Sequence, residues 1–450
     1  MLAAIIPKLL QRIKELEAQL GLNSSNSSTP PSKDPPGTPP RSEKNPTGRK
    51  RGGQPGHKKH ERTLYPPERV DKVTDVKPCE CRRCGRALVG NDASPYRHQV
   101  VDIPRVLATV VEYCLHSLRC GTCGVTTRAI LPIGVPTTPF GPRLQAMMSV
   151  CAGSYKLSKR MIEELVSDFF GVDVSLGSVS NLEQDTSEAI AAPFAEAAAH
   201  LQAQPIVHAD ETGWMEAKKK AWLWVAVAAN VAVFLIRRSR GANAAKELLG
   251  ECFQGILVSD RWCAYNWIKT ISRQLCWSHL IRHFKLFELH GPEAKLLGRA
   301  LQWQADLMFD YWHRVQDGTL GRATFRKYMR PVRRETLDLL RGGVTCESAK
   351  VAGMCKEILK LEKALFTFVN LTGVEPTNNL GERTVRPAVL WRKGSFGTDS
   401  ENGSRFVERI LTVVSTLRMQ KRNVLDYLTT ACEARIWGSA APSLLSFPSL

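Results

Sequence analysis

Two short apolar runs that each end in an aspartate constrain this chain more than any other feature. Ile206-Val207-His208-Ala209-Asp210 and Ile256-Leu257-Val258-Ser259-Asp260 are too short for helices and read as buried strands. Catalytic groups gather where strands end, because the side chain leaves the packed core while its backbone stays held. Alternation puts Ile206, His208 and Asp210 on one face and Glu211 on the other. If the two strands are neighbours, their carboxylates converge within reach of shared metal ions. The flanking pattern supports a sheet. Ala221–Ala229 and Val231–Arg237 read as a hairpin meeting at Asn230, Asn243–Leu249 as a helix, and Arg273–Trp277 as a fifth strand before a helix from Ser278 to about Leu289. The order β-β-β-α-β-β-α predicts a mixed sheet in an α/β core.

Two aspartates alone hold Mg²⁺ weakly, and a third carboxylate completes a two-metal site. Glu382, in Pro376-Thr377-Asn378-Asn379-Leu380-Gly381-Glu382-Arg383, is the best candidate. Pro and Thr read as a helix start, and Asn378 and Asn379 then share a face with Glu382. In-line phosphodiester cleavage wants this set: one hard cation polarises a water or 3′-hydroxyl, and a second stabilises the leaving oxygen. Arg383 and Arg386 are close enough in sequence to neutralise DNA phosphates. Glu211, Asp306, Asp310 and Glu375 are rival acids. Asp306 and Asp310, near Trp303 and Tyr311, read as a solvated helix face. His279, in Cys276-Trp277-Ser278-His279-Leu280-Ile281-Arg282, starts a helix after the fifth strand. It can bind phosphate, help place a metal, or serve as a capping or core histidine.

Charge narrows the partner. Lys+Arg 62 against Asp+Glu 43 gives a formal +19, which points to a polyanion. A membrane is disfavoured: no run of 18 apolar residues exists, and Ala221–Ile236 is split by Asn230. The N-terminus lacks a signal-peptide layout, since Lys8, Arg12, Lys14, Glu15 and Glu17 interrupt it, so a cytoplasmic, nucleoid-associated protein is expected. Thirteen cysteines without a secretion signal argue for metal rather than a disulfide framework. Cys81-x-x-Cys84-Gly85 and Cys120-x-x-Cys123-Gly124 stand 35 residues apart. Four soft sulfur ligands suit one closed, structural Zn²⁺. Cys79 can replace Cys81. With Gln99–Ile103 and Thr109–Leu115 read as strands, residues 64–135 look like a zinc ribbon.

The remaining chain divides by composition. Residues 1–22 carry a seam of Leu2, Ile6, Leu9, Ile13, Leu16 and Leu20, a leucine-zipper-like helix that either pairs protomers or docks on its own chain. Residues 23–63 are a Pro/Ser-rich basic linker, and Arg41–Arg62 holds eight Lys/Arg against two acids. Arg49-Lys50-Arg51 beside Gly52 and Gly53 reads as an arm that tracks phosphates or as a solvated tether. Residues 136–200 are helical, and Ser158–Phe169, Gly171 and Ser175–Ser187 have helix-turn-helix spacing. Residues 201–290 form the first part of the core. Residues 291–370 are a helical insertion, with apolar spacing in Leu296–Trp312, Phe325–Leu340 and Val351–Phe368. Residues 371–437 carry the Glu-bearing helix from about Pro376 to Arg386, a Gly-rich loop at Gly394–Gly403, and helices at Arg405–Met419 and Val424–Ile436; 438–450 read as a tail.

His208-Ala209-Asp210-Glu211-Thr212-Gly213-Trp214 resembles the first acid motif of the insertion-sequence-66 family of bacterial DDE transposases. Ser259-Asp260 with Tyr265 resembles the second, and Asn378-Asn379 through Glu382-Arg383 and Arg386, followed by Lys393 to Phe396 and Gly403, the third. Cys276 to Arg282 looks like the family's Cys-x-x-His-x-x-Arg segment; Ser278 and the extra Cys79 depart from the pattern. The resemblance implies an RNase H-like core with a helical insertion, two Mg²⁺ or Mn²⁺ ions on Asp210, Asp260 and Glu382, and cut-and-join action on the DNA ends of an insertion element. Asn378, Asn379, Arg383, Arg386, Lys393, His279 and Arg282 are the expected DNA-facing residues. Double-stranded DNA, a homo-oligomer and small accessory proteins of the element are the expected partners. Two other readings fit parts of the chain: a zinc-ribbon DNA-binding protein without catalysis, and an RNase H-like structure-specific nuclease.

Overall fold

The structure, a computed structural model, describes Asn23 and residues 62–445. The Leu2–Leu20 seam, the linker with Arg49, Lys50 and Arg51, and the end of the expected tail lie outside the described residues. Contacts divide the chain into two compact units, with a boundary between Ala108 and Thr109.

In the unit ending at Ala108, a tight turn at Cys81–Gly85 is closed by Gly85 N–H to Cys81 O (2.9 Å) and Cys81 N–H to Arg86 O (2.8 Å). An isolated bridge joins Glu80 to Ala87. The expected strand at Gln99–Ile103 does not form. In the other unit, β1 (Ser117–Arg119) and β2 (Thr126–Arg128) pair antiparallel around Cys120–Cys123. Pairing thus hugs each cysteine turn. The expected strand at Thr109–Leu115 is also absent, and Val110 and Val111 are exposed, with no apolar layer to pack on.

Helices α1 (Pro142–Gly153), α2 (Lys159–Phe170), α3 (Leu176–Ala189) and α4 (Ala191–Gln202) follow. Ser158 and Ser175 cap α2 and α3 by accepting from Met161 N–H and Ser178 N–H, and Gly171, at φ +63°, ends α2.

The core is a five-stranded mixed sheet: β3 (Ile206–Glu216), β4 (Lys219–Val227), β5 (Ala232–Arg237), β6 (Ile256–Ser259) and β7 (Arg273–Leu275), in the order β5-β4-β3-β6-β7. The β5-β4 and β4-β3 pairs are antiparallel, and β3-β6 and β6-β7 are parallel. Helix α5 (Ala242–Leu249) crosses from β5 to β6. The expected end of the first strand at Asp210 is corrected: β3 runs on to Glu216 and turns through Ala217 and Lys218, whose φ values of +48° and +59° suit a two-residue hairpin.

Helix α6 (Trp277–Phe287) follows β7, and α7 (Pro292–Gln316), α8 (Arg322–Gly342) and α9 (Ala349–Leu359) build an apolar layer on it around Phe284, Leu301, Phe325 and Cys355. The third expected insertion helix stops at Leu359 instead of reaching Phe368. Buried β7 and α6 side chains take over the backbone beyond it. Gln274 binds Leu365 O and Phe368 N–H, Trp277 Nε1–H donates to Leu365 O, and what remains helical is a 3-10 turn at Glu362–Ala364 and the four-residue α10 (Thr367–Asn370).

Helix α11 (Asn379–Ser395) is longer than expected. It passes Pro387, whose missing N–H faces the carbonyl of the exposed Arg383, and Gly394. α12 (Glu401–Met419) and α13 (Val424–Trp437) complete the fold. Glu408, Thr412 and Thr416, four residues apart on α12, accept the N–H groups of Ile236 (2.6 Å), Phe234 (3.0 Å) and Ala232 (3.1 Å). A helix thereby satisfies the otherwise open edge of β5. The described part of the tail docks: Leu444 is buried and Tyr427 donates to Pro442 O.

Candidate active site at the acid-bearing strand ends

The parallel register fixes the two aspartates. β3 and β6 pair Ile206 with Ile256, Val207 with Leu257 and His208 with Val258. The shared offset of these pairs, which end two residues before the aspartates, directs Asp210 and Asp260 to the same end of the sheet, where the charge of Asp260 acts on Asp210. Asp260 follows the last residue of β6, and its Oδ1 accepts Trp262 N–H (2.8 Å). Asp210 lies within β3 but beyond the stretch that β6 pairs.

The antiparallel register fixes which way the acids face. Asp210 opposes Val225, whose layer is covered by Val385 and Ala388 of α11. Glu211 opposes Trp224, on the layer shared with α4 and α5. Asp210 therefore looks toward the helix that carries Glu382.

A buried amide holds that helix. Asn378, 1% exposed, donates from Nδ2 to Ala209 O (2.8 Å), and its Oδ1 meets His208 Nδ1 (3.1 Å). Its N–H points to Cys276 Sγ (3.2 Å), and its carbonyl takes the first helical bond from Glu382 N–H (3.0 Å). Gly381 makes room, since a Cβ there would stand 2.7 Å from Asn378 Oδ1. The expectation of a DNA-facing Asn378 is thus corrected: its polar atoms are spent on pinning α11 to β3 and α6. Arg392 adds a second pin, donating to Thr212 Oγ1 (3.0 Å) and Gly213 O (2.7 Å).

Glu382 keeps 34% of its side chain exposed and faces His279 Nδ1 at 3.5 Å and Arg282 Nη2 at 3.6 Å. Cys276 Sγ lies 4.0 Å from the same oxygen. Among the described residues, Cys276, His279 and Glu382 are the one group of three whose candidate ligand atoms all lie within 4.8 Å of one another. Asp210, Asp260 and Glu382 share an electric field rather than so tight a cluster. Burial raises the Asp210 carboxyl well above the usual range, and the charges of Glu211, Asp260 and Glu382 add to it. Burial also raises Asp260, opposed by Trp262 N–H and by Arg240, Arg273 and Arg261.

Sequence reading missed the brace behind the aspartates. Glu211, with a side chain 2% exposed, takes Nη2 (2.7 Å) and Nε (3.0 Å) of Arg240 and the hydroxyl of Tyr265 (3.0 Å). Burial, then Asp260, pushes its carboxyl up to about 7 despite Arg240. The Arg240 guanidinium stacks between Trp222 (4.5 Å) and Trp262 (3.7 Å), and Trp262 Nε1–H donates to Arg240 O (2.9 Å). The brace ties the residue after Asp210 to the loop after Asp260. Arg240 stands 29 residues from Glu211, and no local pattern marks that pairing.

The other expected residues separate cleanly. Asn379, Arg383, Arg386 and Lys393 are exposed on α11. His279 and Arg282 are mostly covered beside Glu382. Of the rival acids, Asp306 and Asp310 lie on the exposed side of α7, and Glu375 is exposed ahead of α11.

Each cysteine turn has its own geometry. N–H groups of Arg83 and Cys84 lower the Cys81 thiol, and those of Cys123 and Thr122 lower Cys120 to about 7. Gly85 and Gly124 take φ values of +69° and +73°. Cys79 lends its carbonyl to Leu88 N–H (2.9 Å).

Residues 137–405 match the model of the transposase IS66 family. The chain belongs to the IS66 family of transposases. The matched segment contains both aspartates, the Arg240 brace, the insertion and Glu382. Residues 1–63 match a second family, DUF6444, of unknown function. An uncharacterized protein of Sinorhizobium fredii (strain NBRC 101917 / NGR234), y4qI, is 27% identical over 239 residues, covering 47% of this transposase-family chain and 43% of that protein. The chain thus matches less than half of that relative's length. No helix among the described residues is long and apolar enough to cross a membrane.

Proposed function

We propose that this chain binds the double-stranded DNA ends of an insertion element and catalyses metal-dependent strand cleavage and strand transfer. The observation that carries the reading is that β3 and β6 pair in parallel just ahead of Asp210 and Asp260, with the Glu382 helix pinned over β3 through Asn378. Three antiparallel strands extended by two parallel ones are compatible with an RNase H-like core.

The donor set fits a hard cation. Carboxylate oxygens suit Mg²⁺ or Mn²⁺, and positive charge at this spot would offset the burial, and the repulsion added to it, that raise Asp210. Asp210, Asp260 and Glu382 would hold two such ions. When bound, they would supply Lewis acidity to the attacking and leaving oxygens. The chain's own residues do the rest. The Arg240–Glu211 brace fixes the spacing of the aspartates, and Arg282 and His279 orient the Glu382 carboxylate. Asn379, Arg383, Arg386 and Lys393 present polar and positive groups to a phosphate backbone.

Zinc belongs to the same proposal. Cys81, Cys84, Cys120 and Cys123 would hold one structural Zn²⁺ in a four-cysteine ribbon over residues 64–135. Two turns with N–H groups aimed at sulfur, and thiols lowered toward thiolate, support it. Self-association through the Leu2–Leu20 seam, phosphate tracking by Arg49, Lys50 and Arg51, small accessory proteins, and a cytoplasmic, nucleoid-associated setting complete the reading.

The test is incubation of the full chain with a labelled element-end duplex and a target plasmid. Mg²⁺ or Mn²⁺ should give nicked ends and joined products, and Ca²⁺ should give binding with little turnover. Binding without nicking in Mn²⁺ would favour a non-catalytic DNA-binding protein. Nicking without joining would favour a nuclease.

A further inference from the structure

Helix α8 carries a charge pattern that its own stability does not explain. Phe325, Met329, Val332, Thr336, Leu337 and Leu340 bury one face. Arg326, Lys327, Arg330, Arg333 and Arg334 are exposed, and the first acid on the helix is Glu335. Arg326/Arg330 and Arg330/Arg334 are four residues apart, and Lys327/Arg330 and Arg330/Arg333 three apart. Like charges at these spacings destabilise a helix. Cations in the first turns also oppose the helix dipole. The C-terminal third behaves ordinarily, with Arg341 paired to Asp338 at 3.0 Å.

The first cations of the helix have structural partners. Arg322 Nη2 donates to Phe368 O (2.9 Å) and Leu371 O (3.1 Å), and Arg326 Nη2 to Asn370 O (3.1 Å). They fasten α8 to the segment that leads into Asn378 and the Glu382 helix. The side chains of Lys327, Arg330, Arg333 and Arg334 make no ion pair or hydrogen bond among the described residues.

We propose that the Lys327–Arg334 face of α8 grips the phosphate backbone of duplex DNA without reading its sequence. The proposal rests on the transposition reading above and adds a DNA surface outside the acid site. The face spans about 10 Å of helix, the axial length of about three phosphates on one strand. Three of its four cations are arginines, whose forked donors match phosphate oxygens. An anionic membrane is the poorer fit, because an interfacial helix inserts its apolar face, and here that face is buried in the protein.

The test is the full-length variant Lys327→Gln/Arg330→Gln/Arg333→Gln/Arg334→Gln. Its affinity for element-end and unrelated duplexes is measured across a salt series. Both should weaken alike, by about tenfold or more at low salt, and the slope of log affinity against log salt should flatten by about 2 to 4. Thermal unfolding guards against a trivial loss, since removing like-charge repulsion should leave the midpoint unchanged or higher. An unchanged slope, a lowered midpoint, a loss confined to one sequence, or a deficit seen on anionic vesicles instead of DNA would overturn the proposal. If the wild type binds duplex and only the slope prediction fails, the transposition reading stands. If the wild type binds no duplex at all, both fall.

Discussion

The cysteine-bearing turns and the central sheet solve the problem of order in opposite ways. Around Cys81 and Cys120 nearly every side chain is exposed, and apolar residues such as Val100, Ile103 and Val110 find no layer to cover them. The sheet buries β4 from Leu223 onward and β5 up to Ile236 between helices on both faces, and α12 side chains even cap the free edge of β5. A stretch without a core needs another source of folding energy, and a metal bound to thiolates is the ordinary one. A sheet with a full core can instead tolerate buried, mutually repelling carboxylates at one end. Metal should therefore be structural in the first region and chemical in the second.

The largest effect should separate the regions outright. Cys120→Ser/Cys123→Ser should remove about one zinc ion per chain and expose residues 64–135 to proteolysis. Melting of the sheet should stay where it was. Full zinc retention in that variant would break the comparison.

A smaller effect should come from the brace. Glu211→Ala strips the Arg240 guanidinium and the Tyr265 hydroxyl of their common acceptor. Loss of one partner from a buried pair costs about 3 kcal/mol. Urea denaturation measures it, and a loss below about 1 kcal/mol would mean that solvent replaces the carboxylate freely.

Smaller still is Thr412→Val on α12. It keeps the shape but removes the hydroxyl that accepts Phe234 N–H, leaving a buried donor unpaired at a cost of about 1–3 kcal/mol. An unchanged stability would show that the helix covers the β5 edge by packing alone. The smallest effect should be Arg341→Ala, which breaks an exposed three-apart pair with Asp338 and should cost no more than about 0.5 kcal/mol.

How much was legible in the sequence follows from how local each signal is. The core strands, their order along the chain and the end of β6 just before Asp260 are written in apolar runs, and the sheet follows them. β3 continued past Glu211-Thr212-Gly213, which reads as a strand end, because pairing with β4 outweighs weak local preference. α11 ran through Pro387 for a similar reason: packing of Val385 and Ala388 on the sheet offsets one lost hydrogen bond. Asn378 reads as a DNA-facing amide beside Glu382 because sequence cannot show that His208 and Ala209 lie next to it. The Arg240 brace and the approach of Cys276 to Glu382 join distant segments and exist only once the chain is folded.

The central claim is that Asp210, Asp260 and Glu382 act as one catalytic unit. Single-turnover cleavage of a labelled element end in Mn²⁺, with Asp210→Asn, Asp260→Asn and Glu382→Gln measured beside wild type, tests it most directly. Each amide keeps the shape and removes charge that holds hard cations. The account predicts a loss of about 10³-fold or more from each, no further loss on combining them, and duplex binding near that of wild type. Normal cleavage by Glu382→Gln together with a dead Glu375→Gln or Asp310→Asn would reassign the third acid, and wild-type cleavage by all three amide variants would contradict the account.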